Sequence, residues 1–76
     1  MGVYVRAEKI ADDGKLVTYS FTSADGSQRK LFVDREEEHL WPEDGNENIL
    51  FQGAAMAIVK AWRQQGELPD KALHQA

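Results

Sequence analysis

The sequence predicts an α+β fold in which a three-stranded antiparallel β-meander packs on one C-terminal α-helix (β-β-β-α), and three observations predict it. Residues 3–10 (VYVRAEKI), 15–22 (KLVTYSFT) and 29–34 (RKLFVD) concentrate β-branched and aromatic residues. Both gaps between these runs contain Asp-Gly, at Asp13-Gly14 and Asp25-Gly26, which is hairpin chemistry. Residues 47–65 (ENILFQGAAMAIVKAWRQQ) then change to a helical period, with Asn46 or Asn48 as N-cap ahead of it and Gly66 and Pro69 behind.

Loop length sets the register of the strands. A two-residue loop after the first run pairs Glu8 with Tyr19 and Arg6 with Phe21, mixing charge into the apolar row. A three-residue loop with glycine in the left-handed conformation pairs Ala7 with Tyr19 and Val5 with Phe21, then Tyr19 with Leu31 and Val17 with Val33. The second register is expected, because it gives one apolar face made of Val3, Val5, Ala7, Val17, Tyr19, Phe21, Leu31 and Val33. The opposite face then carries Tyr4, Arg6, Glu8, Leu16, Thr18, Ser20, Lys30 and Phe32.

The connection from the third strand to the helix is acidic. From Asp34 to Asn48 it holds seven carboxylates against Arg35, a local charge of -6 in a chain whose net charge is -4. Asp34 and Glu37 have the spacing of a capping pair, so a short helical turn ended by Pro42 is expected there, with Leu40 and Trp41 anchored on the rim of the core.

Along the helix, Leu50, Phe51, Ala54, Ala55, Ala57, Ile58, Val59, Ala61 and Trp62 fill an apolar arc of roughly 200°, wider than one small sheet covers. A homodimer burying Val59 and Trp62 is one expectation from that excess. Gly53, Ala57 and Ala61 form a line of small residues that lets a backbone approach closely. The tail, 68–76, reads as a frayed end or as a short turn that sets Leu68 and Leu73 on the core.

At 76 residues the chain is one domain (1–76), near the size at which a single core only just offsets the entropy of ordering. It has no cysteine, which removes disulfides, thiolate zinc sites and a cysteine nucleophile and suits a reducing, cytoplasmic setting. No run of about 18 apolar residues occurs, so no membrane span is expected.

Three chemistries can be weighed on spacing. Glu36 and His39 form a single Glu-x-x-His pair, whereas di-iron carboxylate sites need it twice with two more glutamates. Asp44-Gly45-Asn46-Glu47-Asn48 starts like a calcium loop, but Ile49 and Ala55 stand where glycine and glutamate are required. Neither pattern specifies a metal or cofactor. His39 and His74 have no nucleophile or orienting carboxylate at a telling spacing, so no enzymatic activity is expected. The expected function is a small non-catalytic protein–protein interaction module, with Glu36, Glu37, Glu38, Trp41, Glu43 and Asp44 meeting a basic protein partner. The alternative is a nucleic-acid-binding domain that uses Tyr4, Arg6, Lys30 and Phe32 on the outer sheet face, against which the acidic balance counts.

Overall fold

The structure, a computed structural model, describes residues 3–75. Its elements are β1 (Tyr4–Asp12), β2 (Leu16–Ser23), β3 (Gln28–Asp34), β4 (His39–Pro42), α1 (Ile49–Gln65) and β5 (Lys71–Gln75). The apolar face read from the strands forms the core: Val5, Ala7, Val17, Tyr19, Phe21, Leu31 and Val33 are buried against Phe51, Ala54 and Ile58 of α1 and against Leu68. Val3, at the end of that row, is only half-buried.

The three-stranded meander is corrected to a five-stranded antiparallel sheet, order β4-β3-β2-β1-β5, that curls as a half-barrel beside the single helix. The helix is not the last element. It carries the chain from the β4 edge to the β5 edge.

β2 and β3 pair as expected, Val17 with Val33 and Tyr19 with Leu31, around a loop that Gly26 closes at φ 88°. β1 and β2 do not. Ala7 lies opposite Phe21 and Val5 opposite Ser23, two residues from the expected register, and pairing shifts between Lys9 and Ala11. Beyond that shift the strands run to a tight tip, where the Asp13 N–H donates to the Leu16 carbonyl at 3.2 Å and Gly14 has φ 99°. An extra residue in one strand restores the parity that a two-residue tip would otherwise break. The apolar row therefore stays on one face although the loop is shorter than expected.

The expected helical turn before Pro42 is a hairpin turn followed by β4. The Asp34 carboxylate accepts the N–H groups of Glu36 and Glu37 at 3.0 and 3.1 Å, so the capping signal is present. Glu38 then takes φ 52° and turns the chain back along β3. Leu40 faces Val33 and Pro42 faces Leu31 on the core side, while His39 and Trp41 face Asp34 and Phe32 outside. Leu40 thus anchors on the core as expected, and Trp41 does not.

The Asn48 side chain caps α1, accepting the Phe51 N–H at 3.1 Å, and Gly66 ends it with φ 80° while donating to the Trp62 carbonyl. The expected frayed tail is β5, paired to β1 through Gln75; Ala76 lies outside the described residues. Leu68 is buried as expected, whereas Leu73 is 54 % exposed. Two contacts fix this end. The Tyr19 hydroxyl donates to the Pro69 carbonyl, and a side chain at Gly53 would place its Cβ 2.7 Å from the His74 ring and 3.2 Å from Val5. The small residue on the helix is what admits β5. Together with Leu40 and Leu68, β5 covers much of the broad helical arc, and Trp62 is half-buried against the core.

Candidate interaction site

The acidic connection does not form one continuous patch, because β4 divides it. Asp34 to Glu38 build the β3–β4 turn at one end of that strand, and Glu43 and Asp44 begin the connection to α1 at the other.

Several of its carboxylates are used within the molecule. Asp44 accepts both Nε and Nη2 of Arg29, at 2.8 and 2.7 Å. Arg29 also donates to the Asn48 side chain at 2.7 Å and to the Asn46 carbonyl, and it lies 4.8 Å above the Phe21 ring. One guanidinium therefore ties β3 to the loop, to the helix cap and to the core. Its hydrogen bonds, helped by the Asn46 N–H, lower the Asp44 carboxyl to about 2. Arg35, the one arginine in the acidic stretch, reaches back to Asp12 with contacts of 2.7 and 2.9 Å, and this hydrogen-bonded pair holds Asp12 well below the usual carboxylate range. Glu36 lies 3.8 Å from Lys15 with both side chains exposed, a contact of small energetic weight. Among the described residues, Glu37, Glu38 and Glu43 make no salt bridge.

The free carboxylates at the β3–β4 turn stand beside an aromatic group. Trp41 is half-buried on the outer face of β4. It stacks on His39 at 5.4 Å with the planes 18° apart, and it meets Phe32 of β3 at 5.6 Å and 44°. The alternation of the strand puts His39 and Trp41 on one side, and the direct opposition of Phe32 and Trp41 brings the two larger rings together. Asp34, Glu37, His39 and Trp41 line an open depression of about 640 Å³. Glu38 points to a second, of about 260 Å³, whose other walls include Val59, Trp62 and Arg63.

The outer sheet face carries all four residues of the nucleic-acid alternative, but spread out. Tyr4 and Phe32 stand at opposite ends of the sheet, about 20 Å apart by strand geometry. Arg6 lies 3.7 Å from Glu8, and the depression of about 370 Å³ that Arg6 and Lys30 line also contains Glu8 and Glu43. Acidic residues interrupt the basic ones across this face. Among the described residues no three histidine or acidic side chains converge as a metal site would require, and no helix is long and apolar enough to cross a membrane.

Of the six residues read from the sequence as partner-binding, the fold brings Glu37 and Trp41 to one depression, keeps Glu36 and Glu38 in the adjoining turn, where Glu38 lines a different depression against α1, and sets Glu43 and Asp44 apart at the far end of β4. The reading missed His39 and Phe32 as partners of Trp41. A period-two reading of His39-Leu40-Trp41-Pro42 would have found His39, whereas Phe32 follows only from the β3–β4 register. No family model, curated protein or solved structure matches the chain.

Proposed function

We propose that the protein is a non-catalytic interaction module of the cytoplasm, whose β3–β4 corner receives a lysine- or arginine-bearing segment of a protein partner. The observation that carries this reading is Trp41, fixed by His39 and Phe32, lining an open depression beside Asp34 and Glu37. A cation over a tryptophan ring is attracted by the ring quadrupole, and adjoining carboxylates add charge and hydrogen-bond acceptors. His39 and Phe32 both pack on Trp41, so little of its rotamer freedom is lost when a partner docks. The open shape of the corner and its lack of an oriented acid–base pair favour binding over catalysis. The absence of cysteine agrees with a reducing compartment.

The test uses a lysine- and arginine-rich decapeptide as probe and Trp41 fluorescence as readout, in a Trp62→Phe background. Saturable change in emission that weakens steadily as salt rises is the expected result. Emission unchanged by the peptide at low salt would contradict the proposal.

A further inference from the structure

Antiparallel pairing directs the main-chain groups of alternate residues to opposite sides of a strand, so one hydrogen bond fixes the phase of a whole edge. For β5 that bond is the Lys9 N–H donating to the Asp70 carbonyl at 2.8 Å. The register continues with Glu8 opposite Lys71, Ala7 opposite Ala72, Arg6 opposite Leu73, Val5 opposite His74 and Tyr4 opposite Gln75. Ala72 and His74 therefore turn their N–H and C=O groups to β1. Those of Lys71, Leu73 and Gln75 face outward, away from the sheet. At the other edge, the Glu43 N–H donates to the Lys30 carbonyl at 2.9 Å, which leaves the main-chain groups of Leu40 and Pro42 directed away from the sheet on β4. Proline has no N–H to give, so β4 is a blunted edge and β5 an intact one.

We infer that β5 pairs with the β5 of a second copy of this chain, antiparallel, about a two-fold axis at Leu73. Centred there, Leu73 meets its own counterpart and Lys71 meets the second copy's Gln75. Every outward donor and acceptor of the strand is then used, and no like charges stand directly opposite. An axis at Ala72 or His74 would leave one of the outward residues unpaired. The self-complementarity is what a two-fold interface demands.

The side chains beside the edge agree. Leu73 is 54 % exposed and Met56 62 % exposed. Leu73 stands on the outer face opposite Arg6 and Met56 on the helix side, and the edge between them borders a groove of about 740 Å³ lined also by Val59, Lys60, Arg63 and Gln75. Because the axis is perpendicular to the sheet, the two helices remain on one face and their grooves adjoin. The dimer joins the two sheets into one and covers apolar surface that the single copy leaves in water. This surface is distinct from the β3–β4 corner and does not depend on what binds there.

Sedimentation velocity from low micromolar to millimolar protein should show a monomer passing to a dimer. Leu73→Pro removes only an outward-facing N–H, so it should abolish the dimer while the monomer keeps its β1–β5 pairing. Leu73→Glu is the second variant, at an exposed position that tolerates it. It places like charges on the axis and should raise the dimer dissociation constant by about tenfold or more, and added salt should reduce that effect. Amide exchange at Leu73 and Gln75 should slow with concentration, while Ala72 and His74 stay protected throughout. A chain that remains monomeric at millimolar concentration overturns the inference. So does a dimer that persists in both variants, or exchange at Leu73 and Gln75 that is independent of concentration.

Discussion

β4 and β5 are both short edge strands, yet they are held in place by opposite means. β4 follows β3 through a turn that Asp34 organises with its own neighbours, and its pairing partner is the strand immediately before it. β5 pairs with β1, the most distant strand in the sequence, and is held by Gly53, by the Tyr19 hydroxyl on Pro69 and by Lys9, whose ammonium lies 3.2 Å from Asp70. Locally built structure tolerates change elsewhere in the chain. Structure assembled from remote contacts is more exposed to the loss of one of them.

The largest effect should therefore come from Gly53→Val. Its Cβ falls within 2.7 Å of the His74 ring and 3.2 Å of Val5, so the variant should lose about 2–3 kcal/mol in denaturant unfolding. Amide protection should collapse at Ala72 and His74 and persist at Trp41. Equal loss at both edges would break the comparison.

Arg29→Ala probes the opposite side. It removes the bond pair to Asp44, the bond to the helix cap and the contact with Phe21, and should lower Tm by about 5–10 °C. Here the loss of protection should begin around residues 43–48 and spare β5.

A smaller effect, read through pH, sharpens the same distinction. Asp44, bonded by Arg29, and Asp25, which accepts the Ser23 hydroxyl and the Ser27 N–H, both sit at about 2. Carboxyls depressed in the folded state contribute stability that is fully present above their unfolded value, about 3.9, and lost as pH falls through the folded value. Unfolding free energy should decline between about pH 4 and pH 2, and Asp44→Asn should make that decline shallower. An unchanged slope would mean that the Arg29–Asp44 pair does not form in solution.

The smallest effects belong to the hairpin glycines. Gly26 and Gly14 have φ of 88° and 99°, and alanine at either should cost on the order of 1 kcal/mol by chemical denaturation.

The asymmetry between the edges also explains what could be read from the sequence. The core face of β1 to β3 was legible because apolar side chains alternate there without interruption, and α1 because its period, cap and stop coincide. β4 was hidden by the charge run and by Pro42, which reads as the end of a helix and is equally at home on an edge strand. β5 was hidden because Lys71-Ala72-Leu73-His74-Gln75 has little intrinsic strand preference. Its conformation comes from β1 and from the space left by Gly53, which are tertiary facts. The β1–β2 register was missed for a related reason, since the extra residue between Lys9 and Ala11 leaves no compositional mark. At the proposed corner, charge alone pointed to Glu36, Glu37 and Glu38. Which acids the fold itself engages, Asp44 and Asp34 above all, depends on where Arg29 and the turn amides lie.

The claim that the β3–β4 corner serves a partner and not the fold is tested most directly by reversing Glu36, Glu37 and Glu38 to lysine together and measuring decapeptide affinity and Tm side by side. Among these residues only Glu36 contacts a base, at 3.8 Å and exposed, so Tm should move by no more than about 2 °C. Peptide binding should disappear at low salt. A variant that binds the peptide as tightly as the wild type, or one that loses its fold, would contradict the account.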